Sequence, residues 1–366
     1  MTKVFFEHHH LYYLPQFIPI IREMQKRASY HIVASISNKV DEQEIRVFKK
    51  AIKELGIDYL EAAGEKERRK KIREQAFDVL LTGNKQYLTE IAASNTLVVM
   101  VYHGIGLKKS YYRDMSPRVN LRAVEAKERY EILRKKGERG LVLCGFTKLD
   151  PLVKTDKNNL EKIAADFGLS GDKKTVLYAP TFYPSSIELL LPELTAIANR
   201  VNVLIKLHQF SWTKKKYSHH HRQAQAIAEL HPHVHLIPPD HFNILPYYQM
   251  ADILITDISS TLFEFLALNR PIIQTEFSRR RWKHRLIPWL LKSRLDMDRY
   301  ERIDFTCRLS EPMLLEWCLK QILDKPDTME SARLRARDRF LFQLDGNASG
   351  RLVDAIEERI ESPGKA

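Results

Sequence analysis

Short apolar runs that end abruptly at a glycine or a polar residue constrain this chain more than any other feature. DVLLTG (78–83), NTLVVMVYHG (95–104), LVLCGF (141–146), TVLYAPT (175–181), VNVLIKLH (201–208), HVHLIP (233–238), ADILITD (251–257) and PIIQTE (271–276) are all of this kind. Stretches with helical spacing alternate with them, and that alternation implies parallel sheets with helical crossovers. The opening follows the same rhythm: a strand Val4–Glu7, a loop His8–Pro15, and a helix Gln16–Ala28 with Phe17, Ile20, Ile21 and Met24 on one face. A strand His31–Ser35 and a helix Glu42–Leu55 come next, and GEKERRKKIREQ (64–75) reads as a charged helix or loop.

A polar helix is expected over Arg122–Gly137, and the proline-containing TKLDPLVKTDKNN (147–159) as a linker. The pattern then restarts, with helices Leu160–Phe167, Ile187–Asn199 and Thr261–Leu268 between the later strands. At 366 residues the chain is too long for one ordinary core and comfortable as two. The expected architecture is α/β: two Rossmann-like, doubly wound domains, 1–150 and 151–345, facing across a cleft. Ligands in open α/β sheets bind beyond the carboxyl ends of the strands, so the chemistry is sought there.

The formal charge of +13 favours anionic partners: nucleic acid, anionic lipid headgroups or phosphorylated substrates. Three cysteines without C-x-x-C spacing argue against a disulfide framework or zinc site and for a reducing cytoplasm. MTKVFFEHHHLYYLPQF lacks a signal peptide's apolar core and cleavage site. No run reaches the ~18 apolar residues of a spanning helix. The expected location is cytoplasmic, with peripheral attachment to a membrane left open.

Four polar clusters follow strands. His103-Gly104-Ile105-Gly106-Leu107-Lys108 joins an imidazole, able to take a proton near neutrality, to glycines that permit close approach to a ligand. Alone it reads more readily as a solvated turn than as a catalytic loop, and it lacks P-loop spacing. Ala179-Pro180-Thr181-Phe182 offers the Thr181 hydroxyl at a rigid strand exit. In Lys206-Leu207-His208 strand alternation points a cation and an imidazole the same way, a pair suited to phosphate oxygens or to plain solvation. The fourth, Asp257 followed by Ser259-Ser260-Thr261 before an apolar helix, is the most specific. Thr261 to Glu264 fits a capping box, yet three hydroxyls exceed what one cap needs, and a helix N-terminus is a ready pyrophosphate site.

His8-His9-His10 follows the first strand and is a candidate lining for the acceptor side. His219-His220-His221 lies in KKKYSHHHRQ without spaced carboxylates or cysteines; adjacent side chains diverge, so no metal site is expected at either triplet. SRRRWKHRLIPWLLKSR (278–294) suits either an anionic membrane surface or a core helix with a basic rim.

In this order the clusters resemble the CDP-glycerol glycerophosphotransferase family, the teichoic-acid primases and polymerases. Its HGTPLK, G-x-P-R-x-D, APT-aromatic, R-x-H, TDYSS and DGNAS segments correspond here to His103–Lys108, Gly145-Phe146-Thr147-Lys148-Leu149-Asp150, Ala179–Phe182, Lys206–His208, Thr256–Ser260 and Asp345-Gly346-Asn347-Ala348-Ser349. The match spans 101–355 and departs at Ile105-Gly106 for Thr-Pro, Lys206 for Arg and Ile258 for Tyr. Lysine cannot make arginine's bidentate fork.

The resemblance implies a GT-B-like fold with a C-terminal helix, within 346–366, crossing back to the first domain. It also implies transfer of a polyol phosphate from CDP-glycerol or a relative to a glycan or lipid-linked hydroxyl, releasing CMP, with no cofactor or metal. His103 would be the general base. His208 and Lys206 would balance phosphoryl or CMP charge. Thr181, Asp257, Ser259, Ser260 and Thr261 would hold the donor phosphates, and Gly104, Gly106 and Lys108 would shape the loop. Two other readings are a GT-B glycosyltransferase using a nucleotide sugar and a non-catalytic basic module binding nucleic acid or anionic lipid. No nucleic-acid-binding motif supports the latter.

Overall fold

The computed structural model describes residues 1–107, 109, 116–279 and 295–362. The chain divides into two compact units, one formed by Met1–Gly104, Ser110–Val153 and Arg339–Ala366, the other by Ile105–Lys109 and Lys154–Asp338.

The first unit is built on seven parallel strands: β1 (Thr2–His8), β2 (Tyr30–Ile36), β3 (Asp58–Tyr59), β4 (Val79–Thr82), β5 (Leu97–Met100), β6 (Leu121–Val124) and β7 (Leu141–Leu143). Their order is β3-β2-β1-β4-β5-β6-β7, so the winding reverses between β1 and β4. Helices form where termini are specified. Asp41 accepts from Gln43 N at 2.9 Å to open the Glu42–Leu55 helix, and Gly56 closes it in the left-handed region, φ 68°. The charged segment is a helix, Glu65–Glu74, because Arg68 folds inward onto the end of β1. Its guanidinium donates to both Glu7 oxygens, at 2.7 and 2.8 Å.

Two of the six segments behind the family resemblance meet in this unit. The Ala348–Glu361 helix has no cap of its own side chains; instead Asp150 accepts from Ala348 N at 3.0 Å and Ser349 N at 2.8 Å. A carboxylate at a helix N-terminus satisfies orphan donors and opposes the positive dipole end. Arg27 pairs with Glu357 on the same helix.

The second unit has six parallel strands, β8 (Lys174–Tyr178), β9 (Val201–Ile205), β10 (Val234–Leu236), β11 (Ile253–Thr256), β12 (Ile272–Thr275) and β13 (Cys307–Leu309), in the order β10-β9-β8-β11-β12-β13. Here the reversal falls between β8 and β11. Val176, Val203 and Ile255 pack against Ile187, Leu190 and Leu194 of the Ile187–Ile197 helix, all of them buried. Each such side chain contributes roughly 1.5–3 kcal/mol.

Several expectations are corrected. Arg122–Gly137 is not one helix: β6 comes first and the helix is Lys127–Lys135. Arg122 disguised the strand, since it is buried, donating to the Tyr102 hydroxyl and paired with Glu138. The expected linker holds the boundary between the units, at Val153 and Lys154, but it opens as a 3-10 helix, Thr147–Val153, with Thr147 donating to Gln16 O at 2.8 Å. The His8–Pro15 loop is already helical from Leu11. Residues 280–294 of the basic aromatic segment lie outside the described residues. Among the described residues no helix is long and apolar enough to cross a membrane.

His8 is also corrected: it is a core residue and not part of an acceptor surface. It is 0% exposed, with its ring 4.9 Å from Phe17 and 4.6 Å from Phe48. Nδ1–H donates to Phe6 O at 3.0 Å, while burial above all lowers its pKa from 6.5 to about 3. The unfolded chain therefore binds the proton first. The stability that the neutral ring contributes is full above pH 6.5 and is lost as pH falls toward 3, at no more than about 1.4 kcal/mol per pH unit. His8→Phe should flatten that slope in denaturant titrations between pH 7 and 4; an unchanged slope would refute the assignment.

Candidate active site

In the second unit the chemistry gathers at the β8/β11 switch point, where two chain exits diverge and leave a crevice. Asp257, one residue beyond β11, is fully buried and ties the two exits together. Its carboxylate accepts from Thr181 N at 2.7 Å, Ser186 N at 3.2 Å and Ser186 Oγ at 3.3 Å. Burial pushes its carboxyl up to about 7 against those hydrogen bonds. Engaged by Thr181 and Ser186 and buried, Asp257 holds the Thr181–Ser186 loop in place at the strand exits.

Thr261 joins the same network. Its hydroxyl bonds Thr256 Oγ1 at 2.8 Å and Ala179 O at 3.2 Å, which turns it into the sheet end. No capping box forms: Ser260 occupies the cap position without a side-chain bond, and Glu264 is buried, accepting from Tyr248 OH at 3.0 Å. The α-helix is a single turn, Thr261–Glu264, continued as a 3-10 helix, so little macrodipole is available. Ser259 and Ser260 remain half-buried at the crevice, with Ser259 N donating to Asp257 O at 2.8 Å.

β9 is the neighbour of β8 and delivers Lys206 and His208 just past its end. Lys206 is 8% exposed. His208 caps the short Gln209–Thr213 helix, its Nδ1 accepting from Phe210 N at 3.1 Å. That bond sets the tautomer: the neutral ring carries its proton on Nε2, where it is a donor. Phe182 covers the ring at 4.7 Å between centroids, Phe210 flanks it at 5.1 Å, and Tyr217 packs on Phe182 at 5.2 Å. Phe182 was visible as the aromatic of its segment. Phe210 and Tyr217 carried no signal within the polar stretch QFSWTKKKYS.

Gly106 belongs to this unit too. Its φ of +131° and the Phe263 ring, 2.9 Å from where a Cβ would stand, make any side chain strained there, and its carbonyl accepts from Arg299 Nη1 at 3.1 Å. Gly106→Ala should cost about 1–3 kcal/mol through strain and clash. A lower melting temperature would show it; an unchanged one would count against this placement. Lys108 lies outside the described residues.

In the first unit the loops after β1 and β5 converge. His103 sits against Tyr13 at 4.6 Å and Tyr12 at 5.2 Å between ring centroids. His10 stacks on Tyr12 at 5.2 Å and faces Glu44 Oε2 at 3.4 Å; His9 lies against Tyr13 at 6.2 Å and Glu7 at 3.7 Å. Burial lowers the His9 pKa. Thus His9, His10 and His103, with Gly104 beside them, share one aromatic-floored site. The two tyrosines carry no signal in the sequence, because they fall within the stretch His8–Pro15 read as a loop.

Two parallel doubly wound sheets, each with its polar clusters beyond the strand ends, define a protein of the GT-B type. Solved structures share this fold. The wall teichoic acid polymerase TagF, one of whose structures follows a soak with CDPG, aligns over 100% of this chain and 90% of its own at TM-score 0.70 and 18% identity. S. aureus MnaA, in its UDP co-structure, aligns over 99% and 97% at TM-score 0.65 and 15% identity. At such identities the likeness is one of fold.

The CDP-glycerol:poly(glycerophosphate) glycerophosphotransferase family matches residues 78–358, and the chain belongs to it. The teichoic acid poly(glycerol phosphate) polymerase of Bacillus spizizenii is 29% identical over 148 residues, 37% of this chain. That match takes in 35% of the curated relative's length.

Proposed function

We propose that this chain moves glycerol phosphate, or a related polyol phosphate, from a CDP-activated donor to a hydroxyl of a surface glycan or lipid-linked acceptor. The observation that carries this reading is the place of the family's segments: Thr181, Ser259, Ser260, Lys206 and His208 all fall at the switch point of one sheet or beside it. Family membership selects the donor class among the ligands such a crevice accepts.

The acceptor oxygen attacks the β-phosphorus, the bond from that phosphorus to the bridging oxygen breaks, and CMP leaves with the bonding pair. His103 takes the acceptor's proton. His208 donates from Nε2 to the phosphoryl or the departing CMP, and Lys206 offsets its negative charge. Ser259, Ser260 and Thr181 hold the donor phosphates. His9 and His10 lie on the acceptor side, beside His103. The basic chain works in the cytoplasm, attached peripherally to an anionic membrane face.

GT-B neighbours such as MnaA, solved with UDP, show that the fold alone does not choose the nucleotide. Incubation with CDP-glycerol, CDP-ribitol and UDP-sugars, followed by detection of the released nucleotide, tests the proposal. CMP from a CDP-polyol is the expected product. Turnover of a UDP-sugar with none of CDP-polyols would overturn it in favour of a glycosyltransferase. A chain that binds no nucleotide diphosphate, and binds anions with steep salt dependence, would be a non-catalytic basic module.

A further inference from the structure

The histidine triplet of the second unit finds the carboxylate that its own sequence neighbourhood lacks. Glu188 stands in the first turn of the Ile187–Ile197 helix, and His219 and His220 in the first turn of the Ser218–Leu230 helix. Glu188 Oε1 is 3.1 Å from His219 Nε2 and 3.4 Å from His220 Nε2, and the three ligand atoms all lie within 4.8 Å of one another. Tetrahedral zinc, with bonds of about 2.0–2.1 Å to nitrogen and oxygen, needs ligand atoms about 3.3 Å apart.

Two further observations point to a cation. Glu188 Oε2 is buried without a hydrogen-bond partner among the described residues, while both imidazoles crowd Oε1. His220 is 1% exposed, with Nδ1 3.1 Å from Ser211 Oγ. When Nδ1–H is given to that hydroxyl, the Nε2 lone pair faces a carboxylate, an arrangement that a metal ion satisfies. A second hydrogen bond of this kind fixes the tautomer of metal-ligating histidines. The His219 side chain is 41% exposed, which leaves an entry path and room for water as a fourth ligand.

We propose that Glu188, His219 and His220 form a binding site for a borderline transition-metal dication such as Zn2+. It is separate from the phosphate chemistry and holds no reacting atom. Tyr217 stacks on His220 at 5.8 Å and packs on Phe182, the cover of His208, so a bound ion would stiffen the aromatic wall of the donor site.

The test uses the untagged full chain, stripped with EDTA and titrated with Co2+ while its visible d–d absorption is followed. The expected result is one Co2+ per chain, displaced by equimolar Zn2+ but not by Mg2+. Glu188→Gln and the half-exposed His219→Ala should each weaken binding at least about tenfold. His221→Ala should bind as the parent does, because His221 faces Ser211 O at 2.9 Å and stacks on Trp212. Absence of Co2+ uptake by the parent, or parental affinity in His219→Ala or in a folded Glu188→Gln variant, would overturn the proposal.

Discussion

His208→Asn is expected to lower turnover of a CDP-polyol by about 10²–10³-fold while the chain stays folded. The substitution separates two jobs that one ring performs. Nδ1 caps a helix by accepting from Phe210 N at 3.1 Å, and asparagine, a preferred cap residue, can do the same with its side-chain oxygen. What asparagine cannot reproduce is a donor at the far edge of the ring, where Nε2–H would meet charge developing on the phosphoryl or on CMP. Loss of one such donor typically costs 10²–10³ in kcat.

Stability should fall only by the lost ring packing on Phe182 and Phe210, about 0.5–1.5 kcal/mol for each pair. His208→Ala should lose turnover equally and about 1 kcal/mol more stability, the value of the cap. The readout is kcat for both variants beside their denaturant midpoints. Parental turnover in the asparagine variant would end the role assigned to Nε2. A rise in KM with kcat unchanged would reduce it to uniform binding.

The same residue shows how far the sequence could be read. Strand-end placement of His103, Thr181, Lys206 and His208 was legible, because apolar runs that stop at polar residues mark strand termini and ligands bind beyond them. The order of the strands was not, and it is the order that makes β8 and β11 neighbours with Thr181 and Asp257 at their diverging ends. Nor could polarity reveal direction. Asp257 and Thr261 look like ligands in a string of hydroxyls, but their hydrogen bonds run inward to Thr181, Ser186, Ala179 and Thr256.

Buried charge misled in the opposite sense. Arg122 made a strand look like part of a helix, and Arg68 made a packed helix look like a possible loop. Pairing with Glu138 and Glu7 offsets part of their cost of burial, and those partners lie well away in the sequence. Glu188 likewise lies some thirty positions from the histidines it joins, at |i−j| = 31 from His219, so inspection of the triplet could not find it.

His103→Ala should lower transfer to the acceptor by about 10³-fold or more while leaving the affinity for the CDP donor unchanged. The donor ligands assigned above belong to the second unit, whereas His103 belongs to the first, on a floor of Tyr12 and Tyr13. A general base contributes roughly 10²–10⁴ to the rate, and its loss touches the proton transfer rather than ground-state binding of the other substrate. The parental kcat/KM for acceptor should therefore fall at acid pH, where a base of this kind is protonated, and the variant should lose that limb. Truncation to alanine also leaves a ring-sized space over the two tyrosines, so added imidazole should restore part of the rate in proportion to its neutral form. Donor affinity by calorimetry, the pH profile and the rescue are three readouts that a merely structural histidine would not move together. A variant that binds donor normally but keeps the acid limb would exclude His103 as the base and pass the role to His9 or His10 on the same floor.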